Sequence, residues 1–216
     1  MKHLKLIILL LSITFIAACS LVKISTTTTA FYAPEFVSSG SIAIISADEA
    51  KSNSLEFAHY KQKIEDKLVL AGYSIATNSD TAKYIAIVSY GIDDGEKSVI
   101  STPIFSSPNS LHGGRLAKSR YRYSMPHYKQ RIVGTSTSSI TTYNRALALD
   151  IVEADELRNT NDKKEVKKVY ESRVKSIGEC DVVAGVFNEL LEAMFTNFPG
   201  ENGQTITAKI PYTGQC

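Results

Sequence analysis

The sequence predicts an α+β fold, with a single mixed or antiparallel β-sheet of five to six strands and two amphipathic helices packed on one face. Three observations predict it: apolar runs of strand length recur along the chain, two longer stretches repeat apolar residues every three or four positions, and turn residues separate neighbouring strands. The composition, with 44% hydrophobic and 21% charged residues, is that of a globular protein.

The first half of the predicted domain has the order β-α-β-β. Its runs of strand length cover residues 41–46, 73–76 and 84–90. A helix is predicted over residues 55–71 because its apolar residues recur at spacings of three and four. Asn53 and Glu56 fit an N-terminal capping box, and Gly72 suits the position after the helix.

The second half continues with a hairpin, a helix and a last strand. The strand patterns cover residues 146–152, 164–176 and 205–210. Turn residues at 159–162 join the first two of these strands into a hairpin. The second helix is predicted to begin at an Asp181 cap and to end at the Phe198-Pro199-Gly200 segment.

Two stretches depart from this regular pattern. Residues 92–140 contain clustered prolines and glycines and predict an irregular insertion, although the Ser/Thr-rich residues 135–142 would also suit an edge strand. Residues 19–31 are rich in Ser and Thr and predict a flexible tether. The folded domain is therefore predicted to span residues 32–216.

The N-terminal segment predicts export. A basic start precedes a short apolar run over residues 6–16, which covers only about half of a bilayer core. The small pair Ala17-Ala18 before Cys19 resembles the lipobox of bacterial lipoproteins. That resemblance implies removal of residues 1–18, a diacylglyceryl group on the Cys19 thiol and acylation of its amino group with a fatty acid such as palmitate. An ordinary secretory signal with a chance cysteine and an uncleaved anchor helix are the two alternatives.

Ser20 bears on the membrane of destination. In Gram-negative lipoproteins an Asp directly after the lipidated cysteine signals retention at the inner membrane. By the same resemblance, Ser20 implies the outer membrane, with the protein facing the periplasm. The sequence thus predicts an exported protein that is lipid-anchored in the bacterial cell envelope.

The charge balance bears on the class of partner. Loss of Lys2 and Lys5 with the signal lowers the number of basic residues from 24 to 22, which equals the 22 acidic residues. A protein that binds nucleic acid should be more basic than that. No nucleic-acid partner is therefore predicted, and any electrostatic partner must be sought from local patches.

The two remaining cysteines predict a disulfide. Cys180 and Cys216 form an even pair in an oxidising compartment. Their bond would close a loop of 36 residues, which is worth about 4 kcal/mol in the chain-entropy account. The alternative is a free terminal thiol at Cys216 and a buried small apolar residue at Cys180. Two cysteines without neighbouring histidines predict no metal site.

Several packing and turn motifs resemble a known family. They are Leu70-Ala71-Gly72-Tyr73, the strand 84–90, the strand 145–150 and Asn197-Phe198-Pro199-Gly200. In this order after a lipobox, they resemble the bacterial lipoproteins of the uncharacterised domain-of-unknown-function family 4136, over roughly residues 32–210. The resemblance implies a small α/β sandwich of uncharacterised function, and it carries over no functional residues.

The sequence contains no recognisable catalytic constellation, and no cofactor is predicted. The mature histidines, His59, His112 and His127, have no metal-binding spacing. The adjacent carboxylates Asp93 and Asp94 would point to opposite faces of a strand, so a solvated turn is the better interpretation. A non-enzymatic protein is therefore predicted.

One basic segment laced with tyrosines is a candidate binding surface. It comprises Arg115, Lys118, Arg120, Tyr121, Arg122, Tyr123, Tyr128, Lys129 and Arg131. Six positive charges without an acid attract anions, and tyrosines supply flat contact area. The predicted partners are lipopolysaccharide, another anionic envelope component or an envelope protein. In the alternative interpretation, the arginines pair with acidic residues of a neighbouring strand, Glu153, Asp155 and Glu156.

These observations favour a lipid-anchored envelope lipoprotein, acting as a non-enzymatic binding or envelope-maintenance module. Two alternatives belong to other classes. One is an enzyme that acts on envelope polymers through an unrecognised site, for which a deep pocket with convergent polar groups would be the sign. The other is a structural oligomeric spacer, which an exposed apolar patch or an open strand edge would indicate.

Overall fold

The structure is a computed structural model that describes residues 22–105, 132–159, 166–214 and 216. It divides into two units. The first contains the described residues up to Gly95 and from Tyr143 onward, and the second spans Glu96–Thr142. The predicted insertion at 92–140 corresponds to this second unit.

The described residues form eight strands rather than the five to six predicted, so that part of the prediction is wrong. In chain order they are β1 Lys23–Tyr32, β2 Gly40–Ser46, β3 Tyr73–Ile75, β4 Tyr84–Ile92, β5 Glu96–Phe105, β6 Ile132–Glu153, β7 Lys168–Gly178 and β8 Thr205–Pro211. The α-helices of the described residues are α1 Leu55–Leu70, α2 Ala154–Asn159 and α3 Phe187–Phe195. This confirms the broader prediction of an α+β protein.

The sheet of the first unit is mixed. Its strand order is β3-β2-β4-β6-β7-β1-β8. β2 pairs in parallel with β3 and β4, because α1 carries the chain back across the sheet, and the other pairs are antiparallel. β6 and β7 pair antiparallel, as the predicted hairpin requires, but the helix α2 follows β6 and β7 begins at Lys168 rather than at residue 164.

The first strand replaces part of the predicted tether. Lys23–Tyr32 forms β1, which pairs with β7 on one side and β8 on the other. The Ser/Thr composition misled the prediction, because β-branched threonine also favours strands. Thr26 and Thr28 point to the helix side, where their hydroxyls donate to the carbonyls of Ala208 and Ala193.

The two long helices cover one face of the sheet. Four side chains of α1 are buried there: Phe57, Tyr60, Ile64 and Leu68. They share one core with the buried residues of α3 and with the inward residues of the strands. The short α2, with six residues, is too brief for a periodic signal, and its Ala154 packs on the opposite face against Ile85 and Val152.

The helix starts differ from the predicted caps. Ser54, not Asn53, caps α1, and its hydroxyl accepts a hydrogen bond from the Phe57 amide at 3.0 Å. Asp181 caps no helix, because a 3₁₀ turn at Val183–Gly185 comes first and α3 begins only at Phe187. Gly72 follows α1 with φ 100°, a left-handed conformation that favours glycine, as predicted.

The described residues of the second unit form two antiparallel strands. β5 pairs along its length with the part of β6 up to Thr142. The stretch predicted as irregular is therefore a regular hairpin where it is described. Across both units, no described helix is long and apolar enough to cross a membrane.

Candidate functional site

The principal sequence-predicted site residues lie outside the described residues. These are Cys19, the predicted lipidation position, and all nine residues of the basic, tyrosine-laced segment: Arg115, Lys118, Arg120, Tyr121, Arg122, Tyr123, Tyr128, Lys129 and Arg131. Both hypotheses therefore stay predictions. Of the acidic residues proposed as alternative partners, Asp155 pairs with Arg158 on α2, and Glu156 accepts a hydrogen bond from the Lys167 amide.

A C-terminal clasp, formed by Cys180, Cys216, Tyr212 and Arg145, holds the end of the chain. The two cysteines are joined as a disulfide, with their Cα atoms 5.6 Å apart. Tyr212 donates its hydroxyl to the Cys216 sulfur at 3.3 Å, and the Arg145 Nη1 donates to the Cys180 carbonyl at 3.4 Å. The clasp thus ties the last residues to the segment between β7 and α3.

Arg145 is buried without a carboxylate partner among the described residues. Its side chain points to the helix side of β6, and its Nε atom has no hydrogen-bond partner. Burial lowers the pKa of the guanidinium. Gly178 makes room for it, since a Cβ at that position would lie 2.8 Å from the Arg145 Nη2.

Glu189 is the second buried charged residue. It lies on α3, and its Oε1 accepts hydrogen bonds from the amide and the hydroxyl of Thr213, at 2.8 and 3.0 Å. Its Oε2 has no partner. Because the bonded oxygen holds the segment after β8 against α3, the observed role of Glu189 is to position the C-terminal tail.

The pocket between β1 and the end of α3 is lined by apolar and by polar side chains, the polar ones including Asn197, Glu201 and Gln204. Ala30, Tyr170, Met194 and Pro199 are among its walls. Burial raises the pKa of Tyr170 to about 12, so the phenol stays protonated at neutral pH.

Two carboxylates of the described residues are held in the ionised form by hydrogen bonds. Glu35 and Asp93 have lowered pKa values, Glu35 through its hydrogen bond with Lys167 and Asp93 through its hydrogen bonds with Asn144. Both are therefore ionised and bonded at neutral pH. Within the described ranges, no group of His, Cys, Asp or Glu could hold a metal ion.

Over β7, β1 and β8, no described element of the first unit packs on the sheet face opposite α1 and α3. We call this the open face. Strand alternation and pairing place Lys23 and Ser25 of β1, Lys175 of β7 and Lys209 of β8 on it, with Ser25 directly opposite Lys209. The lysines were missed in the sequence because β1 was predicted as a tether, which left no strand alternation to group them.

The fold and this geometry define an α+β protein with a disulfide-held C-terminus and the open face of its sheet. No family model matches the chain, and no curated protein does. Among solved structures, the chain is similar to a PDZ domain protein from Parabacteroides distasonis ATCC 8503, at 13% identity and a TM-score of 0.44. The similarity covers 92% of this chain and 41% of that one, so this chain spans well under two thirds of the other protein. A similarity this low supports no statement about fold or function.

Proposed function

We propose that the protein is a bacterial envelope lipoprotein, anchored through Cys19 and acting without catalysis as a binding or envelope-maintenance module. The main observation that supports this proposal is the Ala17-Ala18-Cys19 sequence, which follows a short apolar run with a basic start. Two or three acyl chains on one cysteine would give a lasting anchor, whereas one chain binds only weakly. The outer membrane is the proposed destination because Ser20, not Asp, follows the cysteine.

One feature of the described residues supports this proposal. The Cys180–Cys216 disulfide suits an oxidising compartment such as the periplasm.

The test is expression of the full chain in a Gram-negative host, followed by intact mass and membrane fractionation. The expected product begins at Cys19, carries acyl mass and floats with outer-membrane vesicles. A Cys19→Ser variant should lack the acyl mass and lose stable flotation. A Ser20→Asp variant is the matched control, since it should stay acylated but move to the inner membrane. An intact leader or an unmodified Cys19 in the wild-type product would refute the proposal.

A structural oligomeric spacer is a second candidate, favoured by the second unit. Its hairpin exposes large apolar side chains, with Val99 and Val133 each 64% exposed, and an isolated two-stranded hairpin is only marginally stable in water. Sedimentation of the detergent-solubilised protein would show an oligomer. Val99→Ser with Val133→Ser should dissociate it, whereas Leu55→Ser, at the 91% exposed start of α1, should not. A monomer at all concentrations would exclude this candidate.

A further inference from the structure

The open face begins very close to the proposed anchor. Only three residues separate Cys19 from Lys23, the first residue of β1. Four Cα–Cα steps span at most about 14 Å even when fully extended. The headgroup layer of each leaflet is about 5–8 Å thick. An acylated Cys19 therefore holds the start of β1 at the membrane surface.

The open face carries unneutralised positive charge at this end. Lys23, Lys175 and Lys209 have no carboxylate within ion-pair distance among the described residues. The pairing of β7, β1 and β8 brings them together, because Thr27 of β1 lies opposite Lys175 on one side and Ser25 lies opposite Lys209 on the other. All three lysines lie within a few residues of the strand ends nearest Cys19.

Farther along the same face, the charges cancel. Asp150 pairs with Lys168 and Arg173, and Glu171 pairs with the same two cations. This part of the face is therefore neutral. Among the described residues of this face, the excess positive charge is therefore that of the three lysines beside the proposed anchor.

The other surfaces near the anchor suit an anionic membrane less well. The end of the sheet beyond β7 carries exposed Glu179 and Asp181, which such a membrane would repel. The opposite face of the sheet is covered by α1 and α3. The open face, in contrast, presents two apolar side chains to solvent, Ile177 at 65% exposed and Phe31 at 53%. These could enter the headgroup boundary, as apolar residues of interfacial segments do.

We propose that the open face rests on an anionic phospholipid surface, with Lys23, Lys175 and Lys209 against the lipid phosphates and Ile177 in the headgroup layer. This inference rests on the proposed lipidation of Cys19, which supplies the proximity. The contact fixes how the domain is oriented on its membrane. Attraction between lysines and an anionic leaflet falls off within a Debye length, about 8 Å at physiological salt, so it acts only on a face held this close.

The test uses the absence of tryptophan from the sequence. Ile177→Trp and Leu55→Trp variants of the full chain are purified in lipidated form and reconstituted into vesicles of phosphatidylcholine with or without phosphatidylglycerol. Brominated lipids report contact by quenching. With phosphatidylglycerol, the Ile177→Trp fluorescence should be quenched several-fold more than that of Leu55→Trp, which lies at the start of α1. In neutral vesicles this difference should largely disappear.

Removing the lysine charges of the open face distinguishes electrostatic contact with the lipids from tethering through the acylated Cys19 alone. Adding K23S, K175S and K209S to Ile177→Trp should abolish the extra quenching. Adding K61S, K63S and K67S, three lysines of α1 on the other side of the sheet, should leave it unchanged. Quenching that is equal at the two tryptophan positions, or that persists in neutral vesicles, would overturn the inference.

Intact mass and vesicle flotation of the same samples distinguish failure of the inferred membrane orientation from failure of the proposed lipidation and anchoring. A protein without acyl mass that does not float fails the proposed function itself. A protein that is acylated and floats, but shows no charge-dependent quenching, fails only the orientation inferred here.

Discussion

At the scale of single residues, an unusual feature is a row of buried polar side chains on the helix side of the sheet. Arg145 of β6, Ser176 of β7 and Thr26 of β1 are adjacent in register and almost fully buried. The Thr26 hydroxyl is bonded to the Ala208 carbonyl, whereas the Arg145 Nε and the Ser176 Oγ have no partner. Because an unpaired buried polar atom costs about 1–3 kcal/mol, this row weakens the fold around the clasp.

Gly178 gives the first prediction, because Arg145 occupies the space that a side chain would need. Gly178→Ala places a Cβ 2.8 Å from the Arg145 Nη2, and the guanidinium has little room to move. We expect the free energy of unfolding to fall by about 1–3 kcal/mol, the usual cost of overpacking. Urea unfolding measures it. Gly91→Ala is the matched control, since nothing lies within 4 Å of its Cβ and its stability should stay within about 0.5 kcal/mol.

Tyr73 gives a prediction about alkaline pH. Burial, followed by the nearby Tyr84 and Tyr170, raises the pKa of Tyr73, and its hydroxyl has no hydrogen-bond partner. In the unfolded chain a tyrosine ionises near pH 10, about its reference value. Tyr73 therefore loses its phenolic proton at a lower pH in the unfolded chain than in the folded protein. The free energy of unfolding is unaffected by this group below pH 10 and falls as the pH rises above 10.

The Tyr73→Phe variant tests this directly. It keeps the ring contacts with Tyr84 and Phe198 but removes the ionisable group and the unpaired hydroxyl. Its stability at pH 8 should equal or exceed that of the wild type by up to about 1 kcal/mol. Urea unfolding between pH 8 and 11 should show a smaller decline than in the wild type. An identical decline in both proteins would contradict the assignment.

At the scale of elements, aromatic stacking joins the two long helices. The ring of Tyr60 on α1 stacks on that of Phe187 on α3 with centroids 3.7 Å apart, and both rings meet Tyr90 of β4 edge-on. Phe187→Ala should therefore cost about 3–5 kcal/mol of unfolding free energy. Thermal and urea unfolding measure the loss. The control Leu55→Ala alters a 91% exposed side chain of α1 and should cost under about 0.5 kcal/mol.

The elements differ in how well the sequence predicted them, for physical reasons. α1 and β4 were predicted closely because burial on one face imposes a period of 3.6, and burial on both faces gives a continuous apolar run. β1 was missed because its inward residues include threonines, whose hydroxyls are satisfied only by partners distant in sequence. The predicted Asp181 cap was wrong because a 3₁₀ turn at Val183–Gly185 precedes α3, and the local sequence pattern did not reveal this turn.

The candidate site was less predictable than the fold. The Cys180–Cys216 pair followed from cysteine number and compartment alone. The open face needed strand register, because its lysines come from three strands that are up to 186 residues apart in sequence, from Lys23 to Lys209. A local pattern cannot show which of many surface lysines lie on neighbouring strands.

At the scale of the whole molecule, the buried packing of the described residues lies in the first unit. Both hydrophobic cores belong to it. Within the first unit, the end of β4 is hydrogen-bonded to β6 where the chain enters and leaves the second unit. The Asn144 amide donates to the Asp93 carboxylate at 2.9 Å, and the Asp93 amide donates to the Asn144 carbonyl at 3.1 Å. β4 and β6 therefore meet as a hairpin before the second unit begins.

This hydrogen bonding predicts that the second unit can be removed. Replacing residues 96–142 by Asn-Gly leaves a loop of hairpin length between Asp93 and Asn144. Each halving of loop length lowers the closure cost by about 0.6 kcal/mol, so the free energy of unfolding should be unchanged or rise by up to about 2 kcal/mol. Urea unfolding should stay cooperative.

Truncation after Gln204, which removes β8 and Cys216, is the contrasting variant. Its free energy of unfolding should fall by several kcal/mol, because β1 loses a pairing strand and the clasp is broken. If the 96–142 replacement unfolded non-cooperatively while the truncated chain did not, the first unit would not be the stable core that its packing indicates.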